Sequence, residues 1–178
     1  MRLGLRRGEV ELVAHDEGWA AMFEVELESL TATAGHLLVR IEHVGSTSVP
    51  GLMAKPILDV AAAIRHHRDL AELSKLIAPL GWIDRGDKGP KGGYHLYVRE
   101  SEPDVRTHHL HVVPAGSPGW MEYVFFRNAL RKSEKLRAEY ASEKRRLALL
   151  YASDRSSYTA AKEQFVRRVL ASASAVEA

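Results

Sequence analysis

Two groups of residues in this chain have the types and spacing for chemistry. The first is Gly45-Ser46-Thr47-Ser48-Val49-Pro50-Gly51, followed by Ala54-Lys55-Pro56-Ile57-Leu58-Asp59-Val60. A turn of small residues offers backbone N–H groups and hydroxyls that suit a phosphate. Lys55 beside it supplies neutralising charge, and an acid on the adjoining strand suits the metal that accompanies a phosphate. A strand–turn–strand connection with Asp59 capping the turn and Lys55 exposed is the structural alternative. Asp59 stands in an apolar run, where a lone carboxylate is costly unless paired or metal-bound, so the functional reading is preferred there. The second group is His108-His109-Leu110-His111. On a strand, His109 and His111 share a face. Two imidazoles there can bind a metal or a phosphate, or act as acid and base, with His95 joining from the next strand. A partly exposed histidine run at a sheet edge is the alternative.

Further candidates lie around these groups. Glu42 and His43 precede the turn on a strand and point to opposite faces, so one of them faces Asp59. Tyr140 and Lys144 are four apart on a helix, Tyr158 and Lys162 repeat the spacing, and Arg127 is placed to reach the same cleft. Snorkelling at a helix surface explains the same spacing.

The elements that must position these residues are legible in outline. Glu9 to Ala14 alternates as a short strand. Asp16 caps a helix over 17–33 with Trp19, Phe23 and Leu27 on one face. Residues 37–44 and 56–64 read as strands, the second buried on both faces. Residues 69–80 form an amphipathic helix ending at Gly81. The glycine-rich stretch 82–93 reads as a loop or hairpin tip, with 83–93 a candidate lid. Residues 94–99 and 107–113 are strands. After Pro114-Ala115-Gly116-Ser117-Pro118-Gly119 three helices follow, over 120–131, 133–151 and from an Asp154 cap to about residue 170. Strands precede helices without a linker, so the expectation is one α/β domain of the α+β type: a mixed sheet with a helical C-terminal half packed on it.

Composition narrows the function classes. At 178 residues the chain can bury a substantial core. It has no cysteine, which excludes disulfides, thiolate nucleophiles and cysteine-based zinc or iron–sulfur sites and fits a cytoplasmic protein. No apolar run approaches the ~20 residues of a membrane span. The basic start Met1 to Arg7 lacks the apolar stretch of a signal peptide. With 25 basic and 23 acidic residues the net charge is +2, too small for bulk nucleic-acid binding. The basic run over 127–146 reads mainly as a solvated helix face. No Walker loop, dinucleotide-binding glycine motif, nucleophile elbow or His-Glu-x-x-His occurs.

His43-Val44-Gly45-Ser46-Thr47-Ser48-Val49-Pro50-Gly51 with Ala54-Lys55-Pro56-Ile57-Leu58-Asp59-Val60 resembles the signature of the GrpB family. His109-Leu110-His111-Val112-Val113, Phe126-Arg127-Asn128-Ala129-Leu130-Arg131 and the pairs Tyr140/Lys144 and Tyr158/Lys162 resemble its later segments, so the likeness covers nearly the whole chain. The family resembles the nucleotidyltransferase superfamily, in which a Gly-Ser pair precedes an Asp-x-Asp/Glu strand by about a dozen residues. Twelve residues separate Ser46 from Asp59 in this chain. The resemblance implies Gly45, Ser46 and Thr47 at phosphates and a divalent metal, Mg²⁺ or Mn²⁺, on Asp59 with His109 or His111. Lys55, Arg127, Lys144 and Lys162 would neutralise charge. The ligand would be a nucleoside triphosphate, or a CoA-like molecule, since the same domain occurs behind dephospho-CoA kinases, where it has been called a folding accessory. The second acidic position is Ala61, a departure from a site that clamps two Mg²⁺ with several carboxylates. Imidazole suits Mn²⁺ or Zn²⁺ better than Mg²⁺. Three readings follow: nucleotidyl transfer to a small acceptor, a non-catalytic nucleotide-binding or folding-accessory module, and a histidine-based metal phosphohydrolase.

Overall fold

Leu58-Asp59-Val60-Ala61-Ala62-Ala63-Ile64 sets the layering. The larger side chains Leu58, Val60 and Ile64 point to one face of the sheet, and Asp59, Ala61 and Ala63 to the other. In the computed structural model, which describes residues 2–89 and 94–174, this strand is β3 (Leu58–Ile64). The other strands are β1 (Leu5–Arg6), β2 (Leu38–Val44), β4 (Ile83–Asp87), β5 (His95–Glu102) and β6 (Val105–Pro114). Among the described residues they form one mixed sheet in the order β2-β3-β6-β5-β4, with β1 beside the start of β6. Only β3 and β6 pair in parallel; the other neighbours are antiparallel.

Helices α1 (Gly18–Ala34) and α2 (Leu70–Ile77) cover one face. Trp19, Phe23 and Leu30 of α1 and Leu70, Leu73 and Ile77 of α2 meet Leu58, Val60, Leu110 and Val112 there. On the other face α3 (Pro118–Lys132) packs Trp120 and Tyr123 against Val44, Ala61, Ala63 and Val113. Helices α4 (Glu134–Leu150) and α5 (Arg155–Ser174) pack with α3 around Leu130, Tyr140 and Phe165, and Val49 and Leu52 reach them from the loop after β2. Small alanines on this face of β3 leave room that large side chains occupy on the other.

Two expected elements differ. The stretch 9–14 is not a sheet strand: only Val13 pairs, with Ala54 of the loop before β3. The short strand is Leu5–Arg6, because β6 begins ahead of the start of β3 and leaves Val105 and Arg106 to pair with it. The stretch 82–93 is not wholly a loop either. Ile83–Asp87 is the exposed edge strand β4, whose Asp84 and Asp87 disguise it because an edge needs charge rather than apolar alternation. Residues 90–93 of the expected lid lie outside the described residues.

Candidate functional site

The parallel register places Asp59 beside His109 and Ala61 beside His111. All four point to the face under α3, and Ala61 leaves the space through which the His111 ring reaches Asp59. Asp59 Oδ1 lies 2.9 Å from His109 Nδ1 and 3.3 Å from His111 Nε2. One ligand atom from each of the three falls within 4.8 Å of the others. The Asp59 side chain keeps 29% exposure, against 9% for His109 and 13% for His111, so the carboxylate opens the cluster to solvent. Burial pushes the Asp59 carboxyl up, but the hydrogen bonds and partial charges of His109 and His111 outweigh it and hold it well below the usual range. Burial holds His109 neutral, with a pKa lowered to about 4 against the pull of Asp59.

The outer ring nitrogens fix how each imidazole is used. Arg155 Nη2 faces His109 Nε2 at 3.4 Å. A guanidinium only donates, so Nε2 accepts and Nδ1 carries the proton given to Asp59. His111 Nδ1 meets two phenols, Tyr94 at 2.8 Å and Tyr123 at 3.2 Å. Burial raises both phenols far above their ordinary pKa, so they remain protonated.

The turn after β2 is held against this cluster by Gly45. Its φ of +67° is open to glycine, and a Cβ there would fall 2.5 Å from Asp59 Oδ2. Ser46–Ser48 then forms one 3₁₀ turn, tied by Ser48 Oγ donating to the Gly45 carbonyl at 2.7 Å. Ser46 lies beside the Tyr140 phenol. Thr47 is buried, its hydroxyl 3.0 Å from His43 Nε2.

The candidate cations divide into two groups. Burial together with Lys162 and Arg155 lowers the Lys55 ammonium to about 7, and its Nζ lies 5.2 Å from the centre of the Tyr158 ring. Lys144 is depressed by burial and by Lys162 and Lys55, and it donates to the Met53 carbonyl. Lys55, Lys144 and Lys162 therefore share one electrostatic neighbourhood that includes Asp59. Arg127 is committed elsewhere: it donates to Glu42 at 2.7 Å and to the His43 carbonyl at 2.9 Å, fastening α3 to β2. Of the pair before the turn, Glu42 shares the Asp59 face, whereas His43 stacks on Phe23 of α1 beneath the sheet. His95 does not join His109 and His111. It faces the opposite side, between Asp84 at 2.7 Å and Asp87 at 3.1 Å.

Sequence reasoning missed Tyr94, Tyr123 and Arg155. The helical spacing Trp120, Tyr123, Arg127 would have found the second, and Arg155, Tyr158, Lys162 the third. Tyr94 required the β5–β6 register, which puts Leu96 opposite His111.

The sequence profile described as GrpB protein matches residues 9–172. The chain belongs to the GrpB family. The glutamate-rich protein GrpB of Alkalihalophilus pseudofirmus is 31% identical over 170 residues, covering 94% of this chain and 98% of that one. The crystal structure of GrpB from Enterococcus faecalis superposes with a TM-score of 0.80 at 25% identity, over 91% of this chain and 98% of that one. The chain spans about half the length of other relatives: 46% of YqkA of Bacillus subtilis, at 29% identity over 89% of this chain. It likewise spans 46% of the dephospho-CoA kinase of Mycolicibacterium paratuberculosis, at 26% identity over 92% of this chain. The Cid1 poly(U) polymerase superposes with a TM-score of 0.51 at 7% identity, over 76% of this chain and 44% of that one. The chain thus has an α+β fold that is structurally similar to the nucleotidyltransferase-like fold of Cid1. Among the described residues no helix is long and apolar enough to cross a membrane.

Proposed function

We propose that this GrpB chain is a metal-dependent nucleotidyltransferase that moves a nucleotidyl group from a nucleoside triphosphate to a small acceptor. The observation that supports it is the convergence of Asp59, His109 and His111 beside the Gly45-Ser46 turn, with Lys55 and Lys162 in the same electrostatic neighbourhood. The likeness of fold to Cid1, whose structure is described with MgGTP bound, agrees with it. One carboxylate and two imidazoles fit a divalent ion that accepts nitrogen ligands, such as Mn²⁺ or Zn²⁺, better than Mg²⁺. Asp59 and His111 Nε2 would hold it, with His109 joining through Nδ1 if its proton moves to Nε2 and Arg155 turns away from that nitrogen. Such an ion would supply charge for the phosphate oxygens.

The chain's own residues then position and neutralise. Ser46 and the turn amides receive phosphate oxygens; among the described residues no backbone carbonyl accepts from the Ser46 or Thr47 N–H. Lys55 and Lys162 balance the polyphosphate, and its arrival returns the proton that burial drives from Lys55. Arg127 and Lys144 serve this reading indirectly, by fixing α3 to β2 and α4 to the Met53 loop. Catalysis by such a site is placement plus electrostatics.

A non-catalytic module that binds a nucleotide or CoA is the second reading. Ala61, where a second acid would stand, and the partial match to dephospho-CoA kinases favour it. A thermal-shift panel of ATP, GTP, CTP, UTP and CoA, each with Mg²⁺, Mn²⁺ or neither, separates the two. A triphosphate at about 100 times its dissociation constant should stabilise the fold by ~2.7 kcal/mol in a Mn²⁺-dependent way. Asp59→Asn should abolish that shift and any turnover while the chain still folds. A metal-independent shift with CoA alone, unchanged in Asp59→Asn, would favour the module.

A further inference from the structure

Arginines from four separate segments meet at the start of β6. Arg7 follows β1, Arg85 lies in β4, Arg106 in β6, and Arg155 opens α5. Glu100 and Asp104 face three of them, and Asp59 attracts Arg155. Glu100 is 2.9 Å from Arg85 Nη2 and 3.9 Å from Arg106 Nε, and Asp104 is 4.0 Å from Arg7. The Arg106 side chain is only 11% exposed, yet 3.9 Å exceeds hydrogen-bond reach and its Nε is buried without an acceptor, as is that of Arg85. The hydrogen bond of Arg155 runs to a neutral imidazole, His109 Nε2. A guanidinium does not discharge when buried, so Arg106 and Arg155 hold positive charge with no carboxylate hydrogen-bonded to either. Burial and mutual repulsion depress Arg106, with Arg155 the foremost of its charged neighbours. Arg155 also depresses Lys55. It stands between the arginines and the lysines, and Arg155 and Lys55 both feel the charge of Asp59.

We propose that Arg106 and Arg155, with Arg7 and Arg85 at the rim, form an anion subsite beside His109 that takes the phosphate of a small phosphomonoester, apart from the Lys55–Lys162 subsite. The forked guanidinium matches a phosphate's oxygens two at a time, whereas the lysines act as point charges along a polyphosphate. That this phosphomonoester is the acceptor rests on the nucleotidyl-transfer reading; the subsite itself does not.

Equilibrium dialysis of the full chain against radiolabelled inorganic phosphate at low ionic strength tests it. The expected stoichiometry is two phosphates per chain. Arg106→Gln should bind one, Lys162→Gln should bind the other one, and Arg106→Lys should weaken the first by roughly tenfold because charge remains but the fork is lost. α-Glycerophosphate should displace the Arg106-dependent phosphate alone. Arg155→Gln, on the open first turn of α5, replaces Arg106→Gln if that variant does not fold. A phosphate stoichiometry that is the same in wild type and in the arginine variants, or no displacement by α-glycerophosphate, would overturn the subsite. Loss of the metal-dependent nucleotide shift with two phosphates still bound would instead sink nucleotidyl transfer and leave the subsite standing.

Discussion

A residue without a side chain sets the closest approach in the candidate site. At Gly45 a methyl group would overlap the Asp59 carboxylate, and the backbone is already in the left-handed region. Gly45→Ala should therefore cost at least ~2 kcal/mol in urea unfolding, from strain plus displacement of the Asp59 carboxylate from its two histidines. It should also abolish any Mn²⁺-dependent nucleotide shift. A variant as stable as wild type that keeps the shift would show that the turn need not touch Asp59. At this scale much was legible. An acid in an apolar strand and histidines two apart announce a shared face, because strand alternation is local. Tyr94 was not legible, since it meets His111 across a strand pairing that no local period encodes; the period of α5 puts Arg155 in line with Tyr158 and Lys162, but not against His109. Thr47 and Arg127 are phosphate-binding residues by type, and tertiary contacts set Thr47 against His43 and Arg127 against Glu42.

Among the elements, the last helix carries more of the site than its polar sequence suggests. One stripe of α5, Arg155, Tyr158 and Lys162, faces β3, β6 and the entry to β3. Lys55 is caught between that stripe and the sheet. Its folded pKa of about 7 lies below the 10.5 of an unfolded lysine, so the unfolded chain binds more protons between these values. Stability should rise as pH increases from 7 toward 10.5, and the full cost of a charged Lys55 is present below 7. Lys55→Met should flatten this rise in melts taken across that window; an unchanged slope would place the lysine in water. The helices of the C-terminal half were readable from periodicity and caps, as in Ser133 accepting from Leu136 N–H and Asp154 from Ser157 N–H. The edge strand β4 was not, because its side chains answer to solvent rather than to a core.

For the whole molecule, buried histidines on both faces of the sheet make the fold sensitive to acid. Beneath the sheet, His43 against Phe23 and His108 near Glu26 are both lowered to about 4, burial being the larger cause in each. Their folded pKa values lie below 6.5, so stability is intact above that value and falls as pH drops toward 4. The loss is on the order of 3 kcal/mol for each histidine. His109 on the other face is lowered to about 4 as well. Urea unfolding at pH 7, 5.5 and 4.5 should show the decline, and His108→Gln should remove about a third of it; a flat profile would mean that these rings are hydrated. Strand β6 comes last in sequence yet lies between β3 and β5. Antiparallel β2–β3 and β4–β5 can each close as a local hairpin or near-hairpin while the middle of the sheet is still vacant. The insertion of β6 joins the two halves and in the same event brings His109 and His111 to Asp59. During synthesis the acid emerges some fifty residues before its partners, so the nascent chain spends that interval with a carboxylate committed to an interior that has not yet formed.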